Sequence, residues 1–303
     1  VGAIMQHVEP AGIHSGDSAC MIPPSRVSPA MHAEMMRAAK ELAAKLNVKG
    51  LMNCQFAIKD EQLYVIEVNP RASRTVPFVS KSIGVPLAKL AAKVMSGMKL
   101  SELGFTKEVV PPYYTVKEAV FPWNRFPGID VVLGPEMHST GEVMGVDTDP
   151  ELAYLKSQIS AFNPLPTEGI VFISVNDRDK DTVLEVARNI SEAGFTICAT
   201  KGTMIHLLQN GIECERAYKV WEGRRPNIVD RIKNNEICFV VNTPGSHDAR
   251  ADEVAIRAAA VSTGISYATD ISSARACAAA ILHSKNKVTE IRTLQELHAS
   301  NQG

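Results

Sequence analysis

From residue 170 to residue 283, short apolar stretches alternate with helical ones, and this alternation constrains the fold more than any other feature of the chain. The apolar stretches are residues 170–175, 195–199, 236–242 and 265–269. Between and after them, residues 181–193, 204–209, 250–263 and 273–283 read as helices. Strands that alternate with helices imply a parallel sheet covered on both faces. In such sheets ligands bind beyond the carboxyl ends of the strands. At those ends the sequence places Asn176 to Lys180, Thr200-Lys201-Gly202-Thr203, Asn242 to Gly245, and Thr269-Asp270. Thr200 to Thr203 opens a helix, where backbone N–H groups and two hydroxyls can hold a phosphate. The plainer alternative is helix capping by threonine.

Ahead of this region lies Phe162-Asn163-Pro164-Leu165-Pro166, the best linker in the chain. It divides the sequence into residues 1–161 and 162–303. In the first part, Ser28-Pro29 signals a helix start. Met35, Met36, Ala39, Leu42, Ala43 and Leu46 follow at helical spacing and predict its buried face. Residues 87–95 predict a second helix, ended by Gly97. The opening Val-Gly-Ala-Ile-Met reads as the middle of a strand, as in a fragment of something longer.

Residues 53–58 and 63–66 are two further alternating runs, joined by the polar turn Lys59-Asp60-Glu61-Gln62. They predict an antiparallel hairpin over 51–69. If the turn centres on Glu61, Gln55 stands opposite Glu67. Glu67 and Asn69 share a face because strand side chains alternate. One strand end then offers hard oxygen ligands, followed by Arg71 and Arg74. Oxygen ligands suit Mg²⁺ with nucleotide phosphates, and arginines suit phosphate or carboxylate charge. The plainer alternative is a solvated polar end on an ordinary hairpin.

The segment Glu9 to Ser18 is polar and glycine-punctuated, and its glycines allow close backbone approach to a ligand. Taken together, the motifs Gly12-Ile13-His14-Ser15-Gly16-Asp17-Ser18, Gln55-Phe56-Ala57, Glu67-Val68-Asn69-Pro70-Arg71 and Thr75-Val76-Pro77-Phe78-Val79-Ser80-Lys81 resemble the large subunit of carbamoyl phosphate synthetase. The run from Gly134-Pro135-Glu136-Met137-His138-Ser139-Thr140 to Gly145 resembles it too. The resemblance covers essentially the whole chain and points to the C-terminal end of that subunit. It implies an α/β chain. Residues 1–161 would be the rear of the second ATP-grasp α+β unit, and residues 162–303 a parallel-sheet, methylglyoxal synthase-like allosteric domain.

The resemblance also implies roles. Gln55, Glu67 and Asn69 would hold Mg²⁺ or Mn²⁺ between the phosphates of ATP. Gly12, Ile13, His14 and Ser15 would line the nucleotide site. Arg71 and Arg74 would face the transferred phosphoryl group and carbamate. In the allosteric half, Lys180, Thr200, Thr203, Lys219, Asn242 and Thr243 would take UMP or IMP. Glu9, Asp17, Glu118 and Thr269 would bind ornithine at the junction. The implied partners are a glutaminase small subunit and the missing N-terminal part of the large subunit. Without them this chain is not expected to turn over.

Composition agrees with a soluble enzyme, and the resemblance implies a cytoplasmic one of pyrimidine and arginine biosynthesis. A net charge of −1 with 21% charged and 45% apolar residues is ordinary for a globular protein. There is no basic excess to suggest nucleic acid, and no apolar run of membrane-spanning length. The six cysteines are scattered without metal-ligand spacing and read as free thiols. Two other readings stay open: a regulatory module whose ATP-grasp remnant is only scaffold, and a different ATP-grasp ligase. Oligomeric state stays open as well, a homo-oligomer included.

Overall fold

The computed structural model describes residues 1–126, 128–245, 251–287 and 290–300. In the first part the elements are β1 (Gln6–His7), β2 (Cys20–Ile22), α1 (Pro29–Lys45), β3 (Asn53–Lys59), β4 (Gln62–Asn69), α2 (Thr75–Ile83), α3 (Leu87–Met95), β5 (Tyr114–Val120), β6 (Gly141–Asp147) and α4 (Pro150–Ser160). An antiparallel sheet runs in the order β1-β2-β5-β6, and β3-β4 forms a separate hairpin. Residues 1–5 are outside any strand, which corrects the expectation for them: pairing begins at Gln6, opposite Met21.

Helix α1 starts as its sequence predicts. Pro29 opens it, and Ser28 accepts a hydrogen bond from the Met31 N–H at 3.2 Å. Its buried face is narrower than the pattern predicts. Met31 and Met35 are buried, Met36, Ala39, Leu42 and Ala43 half-buried, and Leu46 exposed. The reason is cover: β4 is the main element packed on α1, and His32 near the helix start meets Glu108 at 3.4 Å.

The second part contains β7 (Ile170–Ser174), α5 (Lys180–Glu192), β8 (Thr196–Ala199), α6 (Lys201–Gln209), β9 (Glu215–Arg216), α7 (Ile228–Lys233), β10 (Ile237–Asn242), α8 (Ala251–Thr263), β11 (Ser266–Ala268), α9 (Ile271–Asn286) and α10 (Leu294–Ser300). The sheet is parallel throughout, in the order β11-β10-β7-β8-β9. Arg250, the predicted first residue of α8, lies outside the described residues. On one face, Val171 and Ile173 pack with α5 and α9; on the other, Phe172 and Val240 pack with α7 and α8. That is the two-sided cover that continuous apolar strands require.

Helix α4 joins the two parts. Asp149 caps it through the Glu151 and Leu152 N–H groups, and Pro150 opens it. It is buried between the β5–β6 sheet on one side and α9 on the other, so one apolar core runs through it from Val116 to Ile281. The chain leaves α4 through Phe162, which is left-handed (φ 62°) and 87% exposed. All six cysteines are free. Among the described residues no helix is long and apolar enough to cross a membrane.

Candidate functional site

The hairpin turns at Asp60 and Glu61, both left-handed (φ 51° and 60°). Such a two-residue turn alone would pair Gln55 with Ile66. Instead the register shifts between Gln55 and Phe56, leaving Ile66 as an extra residue, and Gln55 pairs with Glu67. The expected pairing is therefore present, and a bulge produces it. Asn69 donates from Nδ2 to Glu67 Oε1 at 2.9 Å, which places the two on one face. Glu67 is exposed; Gln55 and Asn69 are half-buried. One carboxylate and two carboxamides are donors of the kind a hard divalent cation takes, so the residues present fit Mg²⁺ or Mn²⁺.

The arginines differ. Arg71 is exposed, and its guanidinium reaches only the neighbouring Ala72 carbonyl at 3.0 Å. Arg74, just before α2, donates to the carbonyl and the hydroxyl of Ser139, both at 3.3 Å. Ser139 in turn donates from Oγ to the Gly16 carbonyl at 3.3 Å. This chain ties the end of the hairpin to the loop of Gly12, Ile13, His14 and Ser15.

That loop is held on several sides. The His14 N–H donates to Gly134 O at 2.8 Å, and His14 Nδ1 accepts from the Gly16 N–H at 3.0 Å. Lys117 is fully buried and donates to the carbonyls of Ser15 (3.4 Å) and Gly16 (3.2 Å). Gly12 is exposed, with open space where a Cβ would stand. Asp17 is buried and accepts from the N–H groups of His138 (2.8 Å) and Ser139 (2.9 Å). Both of its oxygens latch the backbone, which sets it apart from the other three residues expected at the junction.

Glu9 and Glu118 do come together there, with Asp270, which the sequence placed at a strand end but not at the junction, as a third carboxylate. Its signal was its place as cap of α9, directly after half-buried Thr269. Ser273 Oγ lies 3.1 Å from Glu9 and 2.6 Å from Asp270. Gln158 of α4 donates to Glu118 at 2.6 Å. Burial raises all three carboxyls. Glu9 goes well above the ordinary range, with the Glu118 and Asp270 charges adding to burial. Glu118 is pushed up to about 7, against the pull of the Lys117 ammonium. Burial also raises Asp270. A buried group of acids that resists ionisation favours a cationic partner.

In the parallel-sheet half, the carboxyl ends of β7, β8 and β10 gather Thr200, Thr203, Asn242 and Thr243. Thr200 stands at the N-terminus of α6 but makes no side-chain cap; its hydroxyl lies 3.0 Å from that of Ser174. Thr203 Oγ1 accepts from the Val175 N–H at 3.3 Å, and Thr243 Oγ1 accepts from the Asn176 N–H at 3.0 Å. Lys180 pairs with Asp177 at 2.6 Å, and its ammonium lies 3.8 Å from where a Cβ on Gly202 would stand. A cation thus hangs over the N-terminus of α6. Lys219 is half-buried, two residues beyond Ala217, whose N–H donates to Ala199 at the end of β8.

Residues 3–103 match the family model for the carbamoyl-phosphate synthase L chain ATP binding domain, and residues 182–269 that of the MGS-like domain. The two matched stretches follow one another along the chain, the ATP-binding-domain match first and the MGS-like match second. Along 98% of its length it matches carbamoyl phosphate synthase large chains. It is 52% identical over 299 residues to that of Pasteurella multocida (strain Pm70), covering 28% of it. Against the large chain of Gemmatimonas aurantiaca it is 50% identical over 298 residues, covering 27%. Against that of Archaeoglobus fulgidus it is 48% identical over 299 residues, covering 28%. The chain therefore spans about 28% of the length of the relatives it matches.

Proposed function

We propose that this chain is the C-terminal part of a glutamine-dependent carbamoyl phosphate synthetase large subunit, an ATP-dependent ligase that phosphorylates carbamate. One observation carries the reading: Gln55 faces Glu67, Asn69 bonds Glu67 at 2.9 Å, and Arg74 ties that end of the hairpin to the Gly12–Ser15 loop through Ser139. Gln55, Glu67 and Asn69 hold Mg²⁺ or Mn²⁺, which supplies neutralising charge beside the phosphates. Asn69 fixes the Glu67 carboxylate in place. Exposed Arg71 meets the transferred phosphoryl group. Arg74, braced by Ser139, orients carbamate. Donors fixed before reaction stabilise developing charge without reorganising.

The division of labour falls after Ala161. Residues 162–303 bind effectors, with Lys180, Thr200, Thr203, Lys219, Asn242 and Thr243 taking a nucleoside monophosphate such as UMP or IMP. Glu9, Glu118 and Thr269 take the ammonium groups of ornithine at the junction, with Asp17 stiffening the loop beside them. The partners are the glutaminase subunit and the rest of the large subunit, in the cytoplasm.

The test uses the full-length enzyme with its glutaminase subunit. Glu67→Gln should lower carbamate phosphorylation by about 10²-fold or more, with thermal stability unchanged. A near-normal rate at saturating Mg²⁺ would overturn the assignment.

A further inference from the structure

Arg257 of α8 is fully buried. A guanidinium there must be paired, because an uncompensated buried charge is strongly disfavoured. Its partners come from both halves of the molecule. Nε and Nη2 donate to the two oxygens of Asp130, each at 2.6 Å. Nη1 donates to Oδ1 of Asn242 at 2.8 Å. Asn242 ends β10 among the pocket hydroxyls, and its Nδ2 reaches the Ser174 carbonyl at 3.3 Å. Asp130 lies on the segment that joins β5 to β6. The same segment carries Gly134, which accepts the His14 N–H, and His138 and Ser139, which donate to Asp17. Within it Phe121 stacks on Trp123 with centroids 5.0 Å apart, and Trp123 meets His138 at 5.5 Å.

We propose that Arg257 is a positioning residue that carries the state of the anion pocket to the Gly12–Asp17 loop. The proposal rests on the reading of that pocket as a phosphate site. The bidentate pair with Asp130 is charge-assisted and geometrically fixed, whereas the bonds at Asn242 involve a neutral carboxamide. The long bond from Asn242 Nδ2 to Ser174 is the one a phosphate oxygen can displace. A turn of the Asn242 amide changes what Nη1 meets. The planar guanidinium then shifts as a unit and takes Asp130 with it. Asp130 stands midway along that segment and the Asp17 latch holds its far end, so movement at Asp130 bears on the loop at the latch.

The test is Asp130→Asn in the full-length enzyme. Asp130 is 31% exposed and touches neither candidate site, and asparagine keeps its shape; the lost charge beside buried Arg257 lowers stability, so the kinetics are read well below the melting temperature of the variant. Uridine and inosine monophosphates are the probes. The unaltered enzyme should show an effector-induced change in KM for ATP of about fivefold or more. In Asp130→Asn that change should fall below about twofold while effector affinity and effector-free kcat hold. Asp130→Glu should restore it. A residue that only cements the halves would lower stability and kcat without this split. A full effector response in Asp130→Asn overturns the proposal. If neither nucleotide binds the unaltered enzyme, the pocket reading falls, and the mechanical link is judged without effector. Amide exchange at His138 and Ser139 should then be about tenfold faster in Asp130→Asn. Unchanged exchange overturns the link.

Discussion

Strands β4 and β7 are built from similar residues and end in different surroundings. Val171, Phe172 and Ile173 of β7 have no exposed surface. Tyr64, Val65 and Ile66 of β4 are 49%, 51% and 47% exposed. The difference is cover. Strand β7 sits mid-sheet between α5 and α9 on one face and α7 and α8 on the other, while β4 has one strand partner and α1. Apolar composition specifies a strand; the layers around it decide whether burial stabilises it. The contrast has a chemical side. The uncovered hairpin leaves Glu67 and Arg71 open to a large charged ligand, and the covered sheet confines its polar groups to the strand ends.

The largest expected effect breaks the comparison most directly. Phe172→Ala should cost about 3–5 kcal/mol, the transfer loss plus a cavity in close-packed surroundings. Ile66→Ala should cost less than about 1 kcal/mol, because its side chain already meets solvent. Denaturant unfolding of the two variants measures both. Equal losses would show that the hairpin is covered in solution.

The junction between the regions gives a second, smaller effect. At Gly145 of β6 an added Cβ would stand 2.1 Å from the Ala153 carbonyl oxygen and 2.4 Å from the Ser157 nitrogen. Both are backbone atoms of α4, so no side-chain rotation relieves the clash. Gly145→Ala should cost about 2–3 kcal/mol, near the upper end for overpacking, by forcing α4 away from the strand. Because α4 also packs on α9, the loss should reach the parallel-sheet half as increased amide exchange in α9. A stability unchanged by Gly145→Ala would mean that α4 and β6 are farther apart than described.

Much of this architecture was legible because periodicity and punctuation are local. The parallel strands, the Ser28-Pro29 helix start and the hairpin turn all follow from neighbouring residues. Helix α4 carried the same start signal, Asp149-Pro150, but its nearly all-round burial blurs the helical stripe that marks a surface helix. The Gln55–Glu67 pairing was reached from an assumed turn centre, whereas the structure reaches it through the bulge at Ile66. Long-range polar partners were the hidden part. Nothing near Asp17 indicates that its oxygens meet residues 121 and 122 positions away, or that Arg257 meets Asp130 across 127. The Lys117-Glu118 pair inside an apolar strand was a visible anomaly; the reason for it lies in the Ser15 and Gly16 carbonyls and in Gln158.

The smallest effect concerns that anomaly and sharpens the comparison at the interface. Glu118 titrates at about 7 in the folded protein, against 4.5 when unperturbed, because burial penalises its charge. Between those values the folded state binds more protons than the unfolded state. Stability from this group is therefore fully present below pH 4.5 and is lost as the pH rises through about 7. Across pH 6 to 8 the change is about 1 kcal/mol, with the protein more stable at pH 6. His7 works against it in the acid range: burial and the Lys117 charge hold its pKa near 4, so unfolding takes up a proton there. Subtracting the pH profile of Glu118→Gln removes His7 and isolates Glu118. The difference profile should slope toward greater stability at low pH in the unaltered protein. Ornithine, if it binds beside Glu9 and Glu118, should flatten or reverse that slope by stabilising the carboxylates. A flat difference profile without ligand would mean that Glu118 is already ionised at neutral pH, its charge compensated by Lys117 and Gln158.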